Sequence, residues 1–358
     1  MASTEKRGAE IRQFILEHVE KHPVDIVTLT METFGISRQG VHRHIQTLRK
    51  QKALGIRGTT RKRRYRLRPL AKLAEFYSLK DPLEEDRIWR SDIRPVLGDL
   101  PENVLTIWQH GFTEIMNNAI EHSAGTQVFV TIDKTAIATK MSISDDGQGI
   151  FKKIQRELGL YNEHDAVLEL AKGKLTTDPA RHSGEGIFFT SRMFDDFSII
   201  SGTVSFLHKA DEDKERLFGD LMLDGEMFQD GTTVFMEITN TVSRTTKEVF
   251  DRFTSGEDYG FTKTTIPVRL AKYGDEQLIS RSQAKRLLAR IDKFKVVWFE
   301  FGGVDTIGQA FADEVFRVFA NEHPDMQLYV TGANPAVQHM IRHVSGDRAD
   351  AILNDEED

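Results

Sequence analysis

Apolar positions near the start of the chain recur at helical spacing. Over Glu10 to His22, Ile11, Phe14, Ile15 and Val19 fall on one face, and after Pro23 a second run opens with Ile26, Val27 and Leu29. The Phe34-Gly35-Ile36 turn follows, and then Ser37, whose hydroxyl can cap a third helix. In that helix Val41, Ile45 and Leu48 recur at i, i+4 and i+7, which predicts a buried stripe and leaves Arg38, Gln39, His42, Arg43 and Gln46 outward. Two short extended segments, Leu54 to Gly58 and Arg64 to Leu67, flank the basic turn Thr59-Thr60-Arg61-Lys62-Arg63 and predict a hairpin. From Leu70 to Leu100 the sequence reads as helical and mixed in charge, with breaks at Pro82 and Pro95.

Further along, Ile107, Phe112, Ile115, Ala119 and Ile120 mark the core face of another helix, and Lys140 to Ser144 alternates as a strand does. Phe197 to Ser201, Val204 to His208 and Thr232 to Ile238 read as further strands of an α/β sandwich. After Phe261 the pattern becomes Thr265 to Leu270, a helix from Ser282 to Ile291, the apolar strand Val296 to Phe301 and a strand Gln327 to Thr331. That alternation predicts a small α/β unit. A chain of 358 residues accommodates several cores. The expected division is 1–70, 71–255 and 256–350, with an acidic tail over 351–358.

Charge sharpens this division. Thr33 to Ala74 holds 13 Lys or Arg and no Asp or Glu, leaving −20 for the remainder of a chain whose net charge is −7. A basic block interleaved with structured apolar positions points to a polyanion, because neutralising phosphates releases condensed counterions. There are no cysteines, which excludes disulfides and thiolate metal sites. No apolar run approaches the roughly 18 residues of a membrane span, and the first residues are polar, so the expectation is a cytoplasmic protein without a membrane partner.

Three stretches carry candidate chemistry. In Glu114-Ile115-Met116-Asn117-Asn118, Glu114 and Asn118 lie one helical turn apart. The carboxylate can orient or deprotonate a water, and the neutral Asn118 amide oxygen can complete the shell of a phosphate-bound Mg²⁺. In Asp145-Asp146-Gly147-Gln148-Gly149, a carboxylate at a strand end can accept from the adenine amine, while Gly147 and Gly149 let backbone approach a ligand. In Ser183-Gly184-Glu185-Gly186, glycines open a helix whose amides suit phosphate.

Together, in this order, the stretches resemble the N box and the two glycine boxes of the GHKL superfamily, which includes gyrase, histidine-kinase and MutL ATPases. The resemblance covers roughly Asp86 to Ser255. It implies ATP and Mg²⁺ as cofactors, Glu114 as the catalytic or water-orienting glutamate, Asn118 as the Mg²⁺ ligand and Asp145 as the adenine contact. Gly147, Gly149, Gly184 and Gly186 would serve the lid and phosphates. Phe151 to His182 would be a polar, mobile lid, with Lys172, Lys174 and Arg181 as its cations. Lys174 is the one assigned to nucleotide, with solvated positions the alternative.

The first 70 residues resemble a winged helix-turn-helix, whose third helix enters the major groove of duplex DNA while the wing touches backbone. That assigns DNA contacts to Arg38, Gln39, His42, Arg43, Arg61, Lys62 and Arg63. Tyr259 to Val344 resembles a STAS-like domain related to anti-anti-sigma factors, which implies a protein partner. The serine those factors phosphorylate is replaced here by Gln309 and Ala310; Asp305, Thr306, Asp313 and Glu314 are the polar residues left near that turn. The functional expectation is an ATP-binding, DNA-binding regulator, possible as a homodimer. Alternatives are a serine/threonine kinase of the anti-sigma type and an ATP-gated DNA clamp in defence.

Overall fold

A computed structural model describes residues 2–59, 63–175, 184–210, 215–219, 230–255, 260–272 and 276–353. Arg61, Lys62, Arg181 and the acidic tail from 354 onward lie outside the described residues. The chain is a mixed α/β, multidomain protein built around one large antiparallel sheet.

The N-terminal helices are α1 (Ala2–His18), α2 (Ile26–Phe34) and α3 (Arg38–Lys50). The Ser37 side chain accepts from the Gly40 amide and starts α3, as its position suggested. Ile11, Ile15, Val19, Ile26, Val41, Ile45 and Leu48 form a separate core, closed by Leu54 and Tyr65 from a hairpin of β1 (Leu54–Arg57) and β2 (Arg64–Leu67). Ala136 and Ile137, at a hairpin turn of the large sheet, pack against this core.

Residues 70–100 depart from the helical expectation. Ala71–Ser78 is a strand, β3, paired antiparallel along its whole length with β4 (Gln127–Lys134). It lies at the sheet edge with most side chains exposed or half-exposed, so it carries no apolar periodicity to read. Helix begins only near Glu85, as short pieces ending at Leu97, one of them a π-helical turn over Trp89–Ile93 just before Pro95.

Helix α4 (Glu102–His122) buries Val104, Ile107, Trp108, Phe112, Ile115, Met116 and Ala119. The sheet that receives it has the order β3-β4-β5-β9-β6-β7-β8, with β5 Ala138–Asp145, β6 Asp196–Ser201, β7 Val204–Ala210, β8 Glu215–Gly219 and β9 Thr232–Thr239. Every described pairing in it is antiparallel. Alternate residues on one side, including Val130, Met141, Ile143, Met236 and Phe197, are buried under the helices. The opposite side keeps Phe235 and Phe76 exposed, the latter stacked on Phe129 at 4.3 Å.

The Phe151 to His182 span is also unlike the polar lid expected. It contains α5 (Ile150–Leu158) and α6 (Glu163–Lys172), and α6 is buried continuously from Ala166 to Lys172. One side of α6 meets the sheet and the other meets a C-terminal unit, so even Glu169 and Lys172 are covered. Residues 176–183 of the span are outside the described residues. Helix α7 (Gly186–Met193) and helix α8 (Thr246–Phe253) complete this layer.

The C-terminal unit is a three-stranded parallel sheet of β10 (Lys263–Pro267), β11 (Val296–Glu300) and β12 (Gln327–Thr331). Helix α9 (Arg281–Leu288), a helical segment over 309–322 and α10 (Pro335–Ser345) pack around it. Among the described residues no helix is long and apolar enough to cross a membrane.

How deeply α4 sits on the sheet is set at Gly111. A Cβ there would stand 2.6 Å from the Phe194 ring and 3.3 Å from the Met236 sulfur. In an exposed helix Gly→Ala gains up to about 1 kcal/mol. Here Gly111→Ala is expected to cost about 1–3 kcal/mol by overpacking, read as a lower midpoint in urea unfolding. An unchanged or higher midpoint would refute this packing.

Candidate functional site

The pleat of β5 places the site's acid. Val128, Asp145 and Thr232 are register partners, as are Val130, Ile143 and Val234. Asp145 therefore continues the column of the buried Met141 and Ile143 on the helix-facing side and is itself half-buried. Its Oδ1 accepts the Gly147 amide at 2.9 Å. Asp146, one residue on, turns the other way and accepts from the Thr126 amide and hydroxyl, each at 2.6 Å, and from the Gln127 amide at 3.0 Å. The two neighbours thus have different work: Asp146 ties the start of β4, and Asp145 is left to a cavity.

The turn after β5 wraps the C-terminus of α4. The Gln148 amide donates to the Ser123 carbonyl at 2.8 Å, and the Gln148 side-chain amide donates to the His122 carbonyl at 3.0 Å. A Cβ at Gly147 would overlap the Ser123 carbonyl, so only glycine allows this approach. Gly149, at φ 82°, then opens α5, and the Ile150 amide donates to the Thr232 hydroxyl at 3.0 Å.

These elements enclose a cavity of about 340 Å³, within the range of small-molecule sites. Its wall includes Glu114 and Asn118 from α4, Asp145 and Gly149 from the β5 turn, and Gly184 and Gly186 at the opening of α7. Residues from all three candidate stretches are thus brought together. Glu114 and Gly186 touch so closely that a Cβ at 186 would occupy the place of the Glu114 carboxylate. Apolar wall comes from Ile115, Ile143, Ile199 and Val234.

Gly147 shapes the turn without lining the cavity, and Lys174 is placed elsewhere. The Lys174 ammonium donates to the Lys293 carbonyl at 2.9 Å and lies 4.9 Å from the Phe294 ring centroid, against the C-terminal unit. The backbone turns there through positive φ at Gly173 and Lys174, which aims the side chain away from the cavity. Lys172 is likewise drawn to that unit. The cavity's described cation is instead Lys153 of α5, which the sequence reading missed. It lies one turn beyond Gly149, a position visible once Gly149 is taken as a helix start. Thr232 was also missed, because its place beside Asp145 depends on strand register.

A second candidate surface is the outward side of α3. Arg38, Gln39 and Arg43 are exposed, His42 is half-buried and Arg63 is half-exposed beside the hairpin. Arg57 and Arg64 face each other across the hairpin, and Arg49, Lys50, Arg66 and Arg68 line a groove between α3 and the strands.

Near the C-terminal turn, Asp313 is engaged by Arg317 and Arg281, Glu314 by Arg281 and Lys285, and the Thr306 hydroxyl by Gln277. Gln309 and Ala310 open the 309–322 helical segment.

Burial pushes the Asp145 carboxyl pKa up, against the Gly147 and Thr232 amides that favour its charge. Asp146 is shifted down: burial opposes this, but its hydrogen bonds from Thr126 and Gln127 prevail. Above its raised pKa the folded chain holds Asp145 as a penalised charge, whereas below the ordinary value of about 3.9 folded and unfolded chains are both neutral there. Asp145→Asn is therefore expected to raise the unfolding midpoint at neutral pH, and the gain should fade as pH falls through that window. Paired melts at neutral and acid pH test this; a loss of stability at neutral pH would reject it.

A family model described as the STAS-like domain of unknown function (DUF4325) matches residues 283–338. The match runs from within α9 to the first turns of α10. No curated protein matches the chain. The C-terminal unit accordingly contains a STAS-like domain over residues 283–338, which takes in β11 and β12.

Proposed function

We propose that the cavity binds Mg-ATP in a GHKL-like arrangement, that the N-terminal helices and hairpin act as a winged helix on duplex DNA, and that the chain is a nucleotide-responsive regulator. The observation that carries the first part is the convergence of Glu114, Asn118, Asp145 and Gly186, distant in sequence, on one cavity wall. An apolar slot ending in the half-buried Asp145 carboxylate suits a flat base with an exocyclic amine. The amides at the Gly186 opening of α7 and the Lys153 ammonium supply positive potential for phosphates.

The donor set also fits magnesium. Asn118 offers a neutral amide oxygen one turn from the Glu114 carboxylate, and Mg²⁺ usually takes one or two protein ligands, completing its shell with phosphate and water. When bound, the ion would neutralise charge on the transferring phosphoryl group. Glu114, held at the α7 opening, orients a water or accepts its proton.

For DNA, the support is the excess positive charge carried by α3 and the hairpin, where Thr33 to Ala74 holds no Asp or Glu. Arg57 and Arg64 stand directly opposite each other, a pairing that is unfavourable without an anion to relieve it. The exposed Arg43 and Gln39 have the chemistry to read guanine and adenine edges. A second reading, a serine/threonine kinase of the anti-sigma type, draws support from the STAS-like match, since such a domain suits a protein partner.

Asn118→Ala and Asp145→Ala are each expected to weaken Mg-ATP binding roughly ten- to a hundredfold, the effect of losing a charge-assisted contact worth about 1.5–3 kcal/mol. Glu114→Ala should retain binding and lose hydrolysis. Calorimetry showing unchanged affinity in Asp145→Ala would remove the adenine assignment, and parental turnover in Glu114→Ala would remove the catalytic one.

Neutralising Arg57, Arg64 and Arg66 together should lower the slope of log DNA affinity against log salt by about 2 to 3, at about 0.9 per phosphate contact. A salt response that is flat in the parent chain would rule out the DNA reading.

A further inference from the structure

Six consecutive residues at the end of α6 serve two neighbours at once. Leu170 and Leu175 form part of the cavity wall, together with Phe188 of α7. Between them, Lys172 is 1% exposed and directed into the C-terminal domain. Its Nζ donates to the carbonyls of Arg286 and Ala289 at 2.9 and 2.8 Å, at the C-terminal end of α9. An ammonium there satisfies helix-terminal carbonyls and complements the helix dipole. Glu169 balances the charge at 2.7 Å and stands 3.5 Å from Arg290 of the C-terminal domain.

The backbone is held from both sides as well. The Lys172 carbonyl accepts from the buried Thr264 hydroxyl of β10 at 2.7 Å. Gly173, at φ 79°, is wedged so that a Cβ would stand 2.8 Å from both the Phe188 and Phe261 rings. Two residues further, the Leu175 amide donates to the carbonyl of Gly184 at the cavity.

We propose that the Leu170–Leu175 segment couples the cavity to the STAS-like domain, so that filling the cavity and docking that domain favour each other. A rearrangement that moves Leu175 or Phe188 must move Gly173, and Gly173 cannot shift without disturbing Phe261 and the Lys172 cap on α9. The docked domain in turn holds Leu170 and Leu175 in the positions that form the wall. Linkage makes the effect reciprocal. The nucleotide identity of the occupant rests on the function proposed above; the mechanical coupling does not.

The test uses the full chain and Thr264→Val, which removes one hydroxyl at nearly constant size. Hydrogen exchange without ligand is compared first. Faster exchange is expected in 286–293 and also at Leu175 and Phe188; acceleration confined to the C-terminal domain would overturn the coupling. Affinity for a non-hydrolysable ATP analogue with Mg²⁺ is compared next. It should fall roughly fivefold or more in the variant, the lower end of typical coupling, and equal affinities would also overturn the proposal. If the parent binds no analogue, the nucleotide reading fails and the exchange comparison alone decides the coupling. Lys174→Ala, at the margin of the same contact, provides the same two comparisons should Thr264→Val not fold.

Discussion

The seating of α4 on the antiparallel sheet is the constraint from which the cavity follows. A helix rises about 1.5 Å per residue, so fixing one point along it fixes the rest. The contact of Gly111 with Phe194 sets the depth, and the turn around Ser123 sets the end. Glu114 and Asn118 then have defined heights above Asp145. Because Asp145 is held by strand register, acid, amide and carboxylate keep their places through the seating of one helix on one strand and the turn that joins them.

The parts of this arrangement that were legible from sequence are those governed by near neighbours. Ser37 capping α3, the buried stripe of Val41, Ile45 and Leu48, and the alternation ending at Asp145 are all patterns that show within a turn or two of chain. Ala71–Ser78 was misread because an edge strand with no buried side chain takes its form from β4, 49 to 63 residues away by register. Helix α6 was misread as a polar lid for a related reason. Its Lys172 and Glu169 look solvated until a second domain covers them, although the apolar Ala166, Val167, Leu168, Leu170 and Ala171 around them run over more than one helix face. Lys174 was misplaced through the same omission, while Lys153 and Thr232 enter the site only through tertiary packing.

The cavity and the N-terminal core lie at opposite ends of β5. Asp145 ends the strand at the cavity, and Ile137, just before its first residue, touches the N-terminal core. At roughly 3.3 Å per residue the separation is on the order of 25 Å. Any influence of the cavity on the basic surface must therefore be carried by the sheet or by assembly of chains, whereas the STAS-like domain stands directly against the cavity wall. The architecture gives the C-terminal domain the shorter physical route.

The Lys172 cap also limits how the protein can be divided. By topology the parallel sheet is a separable unit, with its own strands and helices. By surface chemistry it is not, because detaching it would bare the side of α6 that meets the C-terminal unit and the Phe261 side of Phe188 to water. A shortened chain of that kind would carry a contiguous oily patch and would tend to self-associate. The end of α6, expected to be part of a polar lid, is in solubility terms an internal seam.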